Sequence, residues 1–237
     1  MRSMSLDESL LWQPGVSVRG HPRRAENHVT AGYVMGEHLV VMCDPAVEAM
    51  LVEATQRMEP TFDAWRQVAA SAGGEFLGSS RIQILRAGLP QGPELPDGLR
   101  FRRLATTNAD DMKLVEDLVE RSDQDDLNEA EIQLGNLDEI IDVILDTSGE
   151  IVTYSSACPF DMAVGYGDIG ILTRPECQGQ GLGSLAVAAL CERLRNEGLE
   201  PLYRCDEENV GSIKVSAGLG FQVATKLITY RFPHNAT

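Results

Sequence analysis

The feature that most constrains this chain is a run of three closely spaced glycines between an apolar segment and a helix-forming segment. The run reads Gln178-Gly179-Gln180-Gly181-Leu182-Gly183, and it follows the apolar residues 168–173. Glycine leaves backbone N–H groups uncovered by side chains, so that several can crowd around one anion. A helix that begins near Ser184 would add unpaired N–H groups and the positive end of its dipole. The pattern therefore predicts a pyrophosphate cradle and a nucleotide-bearing cofactor.

A dinucleotide site of the oxidoreductase type is one alternative, because strand, glycines and helix follow in the same order. Asp206 even places an acidic residue at the end of the next predicted strand. However, the glycine spacing here is G-x-G-x-G. Residues 174–178 also separate the predicted strand from the first glycine, whereas in the dinucleotide-binding motif the glycine turn directly follows the strand. Only about thirty residues remain after Asp206, too few to complete a doubly wound sheet. The sequence therefore disfavours an NAD(P)-dependent oxidoreductase, and a binding test would decide the point.

The second interpretation is a resemblance to the GNAT superfamily, the acyl-CoA-dependent N-acyltransferases. Gln178-x-x-Gly181-x-Gly183 matches the Gln/Arg-x-x-Gly-x-Gly/Ala signature of that family. The segment from Asn209-x-x-Ser212 to Gly220-Phe221 resembles its Asn-x-x-Ala/Ser…Gly-Phe segment. The resemblance covers about residues 99–232. It implies a mixed, mostly antiparallel central sheet flanked by helices, with acetyl-CoA as cosubstrate.

The same resemblance implies roles for individual residues in cofactor binding. The main chain around Ile171 and Leu172 would pair with the pantetheine arm, and Asn209 would hydrogen-bond that arm. The family splays its fourth and fifth strands apart, and the thioester would lie in that wedge. The backbone N–H groups expected to bind the pyrophosphate belong to Gln178, Gly179, Gln180, Gly181, Leu182, Gly183 and Ser184.

The implied chemistry is direct transfer of an acetyl group to a primary amine, without an acyl-enzyme. An alkylammonium ion is not a nucleophile, so a carboxylate or an ordered water must first remove its proton. Asp168 at the start of one strand and Glu176 before the glycines are the two candidates for that base. Backbone N–H groups of the same strand would stabilise the oxyanion.

One position departs from the family pattern. The tyrosine that often serves as general acid for the leaving thiolate is replaced by Ser216, seven residues after Asn209. A serine hydroxyl is shorter and far less acidic than a phenol, so Tyr203, Cys177 or water are alternative acids. The departure also keeps a second function open, a non-catalytic CoA-binding regulator or scaffold.

Composition and charge bound the partners. The formal net charge is -16, and residues 110–150 hold fifteen Asp or Glu against Lys113 and Arg121. Such a balance argues against nucleic acid and anionic membranes as partners, and it favours a cationic amine as acceptor, although a solvated acidic surface explains it equally well. The five cysteines form no C-x-x-C pair, which predicts reduced thiols. The first residues lack the apolar segment of a signal peptide, and the two observations together predict a cytoplasmic protein. The four histidines, His21, His28, His38 and His234, offer no metal-ligand spacing. Homodimers are common in the family that the chain resembles.

The predicted architecture has two parts. Residues 87–98 carry three prolines and three glycines, which predicts a boundary there. Residues 1–97 are predicted to form an α/β subdomain of unknown role, and residues 98–237 the GNAT-like domain of α/β (α+β) class. Within the first part, a hairpin over residues 32–44 and helices beginning at Pro45 and near Thr61 are expected.

Overall fold

The computed structural model describes residues 14–86, 88, 94–135, 137–138, 140–160 and 165–233. It divides the chain into two compact units, residues 1–82 with 223–237, and residues 83–222. Strands β4 (Glu75–Leu85) and β10 (Phe221–Arg231) each contain residues of both units. These units have other bounds than the predicted domains 1–97 and 98–237, which stay a prediction. Much of the expected boundary segment, residues 87 and 89–93, lies outside the described residues.

The first unit contains a sheet with the strand order β1-β3-β2-β10. β1 (Gly15–Gly20) runs parallel to β3 (His38–Cys43), while β2 (Val29–Met35) is antiparallel to both β3 and β10. The predicted hairpin over residues 32–44 is thereby confirmed. The helices of this unit are α1 (Pro22–Asn27), α2 (Pro45–Thr55) and α3 (Phe62–Ser71).

The core of the first unit centres on Trp65 of α3, which is fully buried. Its ring meets Tyr230 edge-on, with the ring centroids 5.7 Å apart. Gly32 of β2 lies directly under the indole, since a Cβ there would come within 2.5 Å of Trp65 Nε1. The helix and strand can therefore pack only because residue 32 has no side chain.

The second unit contains a sheet with the strand order β9-β8-β7-β6-β5. All neighbouring pairs are antiparallel except β8 and β9, which run parallel. The predicted mixed, mostly antiparallel sheet is confirmed. Its strands are β5 (Arg100–Leu104), β6 (Ile140–Leu145), β7 (Ile151–Pro159), β8 (Tyr166–Thr173) and β9 (Glu200–Asp206).

Helices cover both faces of this sheet. On one face, α4 (Ala109–Arg121) and α5 (Gln124–Glu129) share a core with Leu172 of β8. On the other, α6 (Leu182–Asn196) and α7 (Val210–Gly218) share a core with Ile169 and Ile171. This arrangement follows from the alternation of side chains along a strand, which sends neighbouring residues of β8 to opposite faces. We call these two faces the α5 face and the α6 face.

Side-chain caps decide where several helices begin. Asn108 accepts hydrogen bonds from the N–H groups of Asp110 and Asp111, and it thereby caps α4. Asp123 and Asn209 cap α5 and α7 in the same way. Helix α6 differs, because its N-cap residue is Gly181 and no side chain caps it. Over the part of the chain that the structure describes, no helix is long and apolar enough to cross a membrane.

Candidate functional site

The parallel strands β8 and β9 separate partway along their length. Their pairing runs from Tyr166–Glu200 to Ile169–Tyr203 and stops there. β8 nevertheless continues to Thr173 and remains paired with β7 on its other side, while β9 continues to Asp206. Residues 170–173 therefore present an edge that no described strand covers. Ile171 and Leu172, predicted to hold an extended cofactor arm, lie on this open edge, and their role in binding stays a prediction.

The glycine turn at the end of β8 adopts a backbone that requires glycine at two positions. Gly179 and Gly181 have φ angles of +75° and +79°, in the left-handed region. A Cβ at either position would meet nothing within 4 Å, so it is the backbone conformation and not the available space that calls for glycine. The open space around both residues is what an approaching anion would need.

Gly183 serves a different purpose in the first turn of α6. A Cβ there would lie 3.3 Å from Ile171 Cδ1 and 3.5 Å from Thr173 Oγ1. The missing side chain thus lets the start of α6 lie close against the end of β8. As a result, the helix terminus directly adjoins the open edge.

The N terminus of α6 leaves several N–H groups available. The first backbone bond into the helix runs from the Leu185 N–H to the Gly181 carbonyl, 3.1 Å. The N–H groups of Leu182, Gly183 and Ser184 precede that bond and have no partner one turn earlier. In a helix of 15 residues they also lie at the positive end of the dipole. The predicted cradle geometry is present, while its occupation by a pyrophosphate stays a prediction.

Arg174 anchors the turn that leads into the glycines. Its guanidinium, only 15% exposed, contacts the carboxylates of Glu150 at 3.0 Å, Asp146 at 3.4 Å and Glu176 at 3.2 Å. Gln178 adds a hydrogen bond from Nε2 to the Thr173 carbonyl, 3.2 Å. The structure places Glu176, a predicted base, at this anchor with its side chain 65% exposed. Its carboxylate is thus engaged by arginine.

Asn209 lies at the start of α7, directly after β9. Its Oδ1 accepts a hydrogen bond from the Ser212 N–H at 2.8 Å, and its Nδ2 donates to the carboxylate of Glu129. Burial raises the pKa of Glu129, and the nearby carboxylates of Asp126 and Asp206 raise it further. The residue predicted to contact the cofactor arm therefore shares its amide with an acidic side chain of α5.

Asp168, the other predicted base, is held by an ion pair. It is 6% exposed, and both Nε and Nη2 of Arg204 lie 2.9 Å from its Oδ2. The same guanidinium reaches Glu131 Oε1 at 2.8 Å. Arginine stabilises the ionised form of a carboxylate, which weakens it as a proton acceptor.

Glu131 itself sits in an uncommon backbone conformation, with φ at +55°. The N–H of Ile132 bonds to the Leu127 carbonyl and that of Glu131 to the Asn128 carbonyl, which is the Schellman ending of α5. Glycine is the usual residue at this position, because it adopts positive φ without strain. Here a glutamate occupies it and contacts Arg204.

Ser216, the predicted general acid, is fully buried in α7. Its hydroxyl donates to Gln83 Oε1 and to the Ile213 carbonyl, both at 3.1 Å. Gln83 in turn donates to Cys205 Sγ at 3.4 Å. This geometry gives the hydroxyl an internal structural role, and its part in catalysis stays a prediction.

The alternative acids lie on the α6 face and at the turn. Tyr203 is 1% exposed, and burial raises the pKa of its phenol to about 12. A phenol so buried keeps its proton at neutral pH. Cys177 is half-buried in the short turn Pro175–Cys177 before the glycines.

Sequence reasoning missed the polar groups that other elements bring to the site. They lie in α5, in the segment between α5 and β6, in β7 and in β9, and none belongs to a motif. The acidic composition of residues 110–150 was the one signal that touched some of them. They are Glu129, Glu131, Asp138, Ser156 and Arg204.

The described residues hold no group of three His, Cys, Asp or Glu side chains placed to bind a metal ion. His21, His28 and His38 belong to the first unit, and His234 lies outside the described residues. His28 Nδ1 lies 2.7 Å from Asp44 Oδ2. All five cysteines are free thiols.

Comparison with known proteins gives one family match for this chain. Residues 109–221 match the model of the acetyltransferase (GNAT) family. The matched range begins at α4 and ends at the first residue of β10, so that it contains the open edge, the glycine turn and Asn209. The match covers just under half of this chain, and it makes residues 109–221 similar to the GNAT family. No match was found among curated proteins.

Solved structures share the fold. A GCN5-related N-acetyltransferase from Sphaerobacter thermophilus matches with a TM-score of 0.53 and 15% identity, over 86% of this chain and 60% of that one. A GCN5-related N-acetyltransferase-like protein from Streptococcus suis matches with a TM-score of 0.52 and 15% identity, over 87% and 84%. A GCN5-related N-acetyltransferase from Kribbella flavida matches with a TM-score of 0.52 and 18% identity, over 72% of this chain and 64% of that one. The chain thus spans about three fifths of the length of the Sphaerobacter protein, and at these identities the likeness is one of fold.

Proposed function

We propose that this chain is an N-acetyltransferase that moves an acetyl group directly from acetyl-CoA to a cationic primary amine. The observation that carries the proposal is the contact between the open edge of β8 and the uncapped start of α6. Gly183 brings the two together, next to Thr173. Coenzyme A has the matching chemistry in the matching order, an anionic pyrophosphate followed by an extended arm with two amides. The pyrophosphate would take the helix N–H groups, and the arm would pair with residues 170–173 like an added strand.

The residues of the chain would then perform three tasks. The open edge would place the thioester carbonyl in the wedge between β8 and β9, where a backbone N–H stabilises the developing oxyanion. A carboxylate on the α5 face would take a proton from the acceptor ammonium. The neutral amine would attack the carbonyl carbon, and the thiolate of coenzyme A would leave. Acetyl-CoA supplies the activated acyl group in this scheme.

The charges of the α5 face support a cationic acceptor. Glu129 bonds to Asn209 and lies near Asp206 at the end of β9, and Glu131 contacts Arg204, whose guanidinium also binds Asp168. A negative rim would raise the local concentration of an amine cation, and added salt would screen it. For a diamine or polyamine acceptor, kcat/KM should therefore fall as the salt concentration rises. A rate that does not respond to salt would argue for an uncharged acceptor.

A non-catalytic CoA-binding regulator is the second candidate. This candidate is favoured by Ser216, which occupies the position where the family often has a catalytic phenol. The Ser216 hydroxyl is buried and hydrogen-bonded to two acceptors. Binding of acetyl-CoA without acyl transfer to any member of a broad amine panel would favour this candidate over the enzyme.

Calorimetric titration with acetyl-CoA, CoA and NADH tests the cradle directly. In a Gly181→Glu variant, the added carboxylate would occupy the space at the helix terminus and repel the pyrophosphate, so CoA binding should be lost. Gly198→Glu is the matched control, because Gly198 also has a positive φ of +81° and open space but follows the other end of α6. The control should bind CoA like the wild type. Equal binding by both variants, or no CoA binding by the wild type, would refute the proposed function.

A further inference from the structure

Asp138, which precedes β6, carries a carboxylate with only neutral hydrogen-bond donors around it. Its Oδ2 accepts a hydrogen bond from the Ser156 hydroxyl at 2.6 Å, and the Cys158 thiol is a second donor. Within the part of the chain that the structure describes, no arginine, lysine or histidine forms an ion pair with it. The side chain is half-buried. Asp138 is thus a carboxylate that is oriented but not neutralised.

The position of Ser156 ties Asp138 to the wedge. Ser156 of β7 pairs with Gly170 of β8, and Gly170 is the first residue after the last pair between β8 and β9. A Cβ on Gly170 would lie 2.6 Å from the Ala130 carbonyl oxygen and 3.3 Å from Ser156 Oγ, so both atoms lie against the α5 face at this point of β8. Asp138, bonded to Ser156, therefore lies on the α5 face beside β7, one strand away from the edge of β8 where the wedge opens.

Asp138 and Asp168 can be compared directly because they share one sheet face. Cys158, which donates to Asp138, pairs with Asp168 across β7 and β8. Asp168 has Arg204 bound to it, whereas Asp138 has a hydroxyl and a thiol. Burial raises the pKa of Asp138 and the nearby carboxylate of Glu131 raises it further, while the hydrogen bonds from Ser156 and Cys158 oppose part of that rise. A carboxylate without a cation, oriented and partly desolvated, is the better proton acceptor of the two.

We propose that Asp138, rather than Asp168 or Glu176, is the general base of the acyl transfer; the inference rests on the proposed function. The acceptor ammonium gives one proton to Oδ1 of Asp138, the oxygen that does not accept from Ser156. The freed lone pair forms the C–N bond to the carbonyl carbon, and the C–S bond breaks with its electron pair staying on sulfur. The remaining excess proton on the nitrogen passes to the thiolate, and Asp138 releases its own proton to water.

The test is the pH dependence of kcat, at saturating acetyl-CoA and diamine, for the wild type and three variants. The wild type should lose activity as the pH falls through the pKa of the base. Asp138→Asn should lower kcat by about 10²-fold and abolish this acid limb. Asp168→Asn is the matched comparison. Whatever the value of its kcat, the acid limb of its pH profile should lie at the same pH as in the wild type. Ser156→Ala removes a hydrogen bond that lowers the pKa of Asp138, so the limb should move to higher pH.

The outcomes separate this inference from the function on which it rests. A wild type that transfers acetyl groups, with a normal acid limb in Asp138→Asn or a lost limb in Asp168→Asn, overturns the role of Asp138 alone. A wild type that binds CoA but acetylates no amine overturns the proposed enzyme, and the inference falls with it. Thermal unfolding checks that Asp138→Asn is folded. If Asp138→Asn is not folded, the Ser156→Ala variant decides the question. An acid limb that moves to higher pH supports Asp138 as the base, and an acid limb that does not move overturns this role.

Discussion

Glu129 accepts a hydrogen bond from the side-chain amide of Asn209, although the two residues are 80 positions apart in the chain. Asn209 is the residue predicted to hold the cofactor arm, so the arm would share the side-chain amide of Asn209 with a carboxylate. An anionic cofactor bound there would also lie close to a negative charge. The bond therefore suggests that Glu129 restrains cofactor binding.

Replacing Glu129 by glutamine should tighten CoA binding two- to fivefold, which corresponds to about 0.5–1 kcal/mol. The variant keeps the shape of the side chain but removes the charge, and calorimetry measures the change. Glu208→Gln is the control, since Glu208 directly precedes Asn209 in the chain and is exposed. Weaker binding by Glu129→Gln, with the control unchanged, would mean instead that Glu129 supports the cofactor site.

Arg174→Ala should destabilise the second unit and weaken CoA binding together. Removal of the guanidinium leaves three carboxylates without their shared cation, and we expect the free energy of unfolding to fall by about 2 kcal/mol at pH 7. CoA affinity should fall about tenfold, because the turn into the glycines loses its anchor. Arg121→Ala is the control: Arg121 also contacts Glu150, at 2.8 Å, but is mostly exposed. Urea denaturation should place that control within about 0.5 kcal/mol of the wild type.

The effect of Arg174→Ala should also depend on pH. The hydrogen bond from Ser148 lowers the pKa of Asp146 below its usual value, and Arg174 contributes to the same shift. A carboxyl group with a lowered pKa stabilises the fold above its usual pKa, and that stabilisation is lost as the pH falls through the lowered value. The difference between variant and wild type should therefore shrink between pH 7 and pH 3. An equal difference in unfolding free energy at pH 7 and pH 3 would mean that Arg174 stabilises the fold through packing and not through its charge.

Two alanine substitutions in the glycine turn should have different consequences for stability. Gly181→Ala forces a left-handed backbone on a residue with a Cβ, at a cost of about 1–2 kcal/mol. Gly183 lies inside a helix, where alanine is about 1 kcal/mol more favourable than glycine. In Gly183→Ala, the close contact of the new Cβ with the movable Cδ1 of Ile171 offsets that gain. Its unfolding free energy should stay within about 1 kcal/mol of the wild type. A Gly181→Ala variant as stable as the wild type would show that the turn can adopt another backbone.

Ser216→Ala should affect stability more than catalysis. It leaves the buried Oε1 of Gln83 without this donor, which costs about 1–3 kcal/mol, while kcat should stay within about twofold. Ser216→Tyr should unfold the protein rather than restore a phenolic acid, because residue 216 is fully buried. Rates of thiol release and melting temperatures measure both effects. A folded Ser216→Ala variant with a hundredfold lower kcat would establish Ser216 as the general acid.

Local sequence signals predicted most elements of the second unit. Glycine spacing located the turn before α6, and the hairpin of β6 and β7 followed from apolar segments around Asp146-Thr147-Ser148-Gly149. In the first unit, the hairpin and the helices capped by Asp44 and Thr61 were predicted correctly. β1 and α1 were missed, since both are six residues long and carry few apolar side chains. The apolar residues 82–85 predict only the end of β4, because the first half of this strand is largely exposed and lacks an apolar pattern.

The sequence by itself determined the family resemblance and the place of the predicted cradle, since both depend on residues that are close neighbours in the chain. Only the tertiary structure decided which carboxylates lie near β8 and β9 on the α5 face. Asp138, Ser156 and Gly170 come together through the register of β7 with β8, and Glu129 meets Asn209 through the packing of α5 over β8 and β9. The same packing binds Asp168 to Arg204. A one-residue shift in strand register would send the side chains of Ser156, Asp168 and Arg204 to the opposite face, and no local pattern specifies such a register.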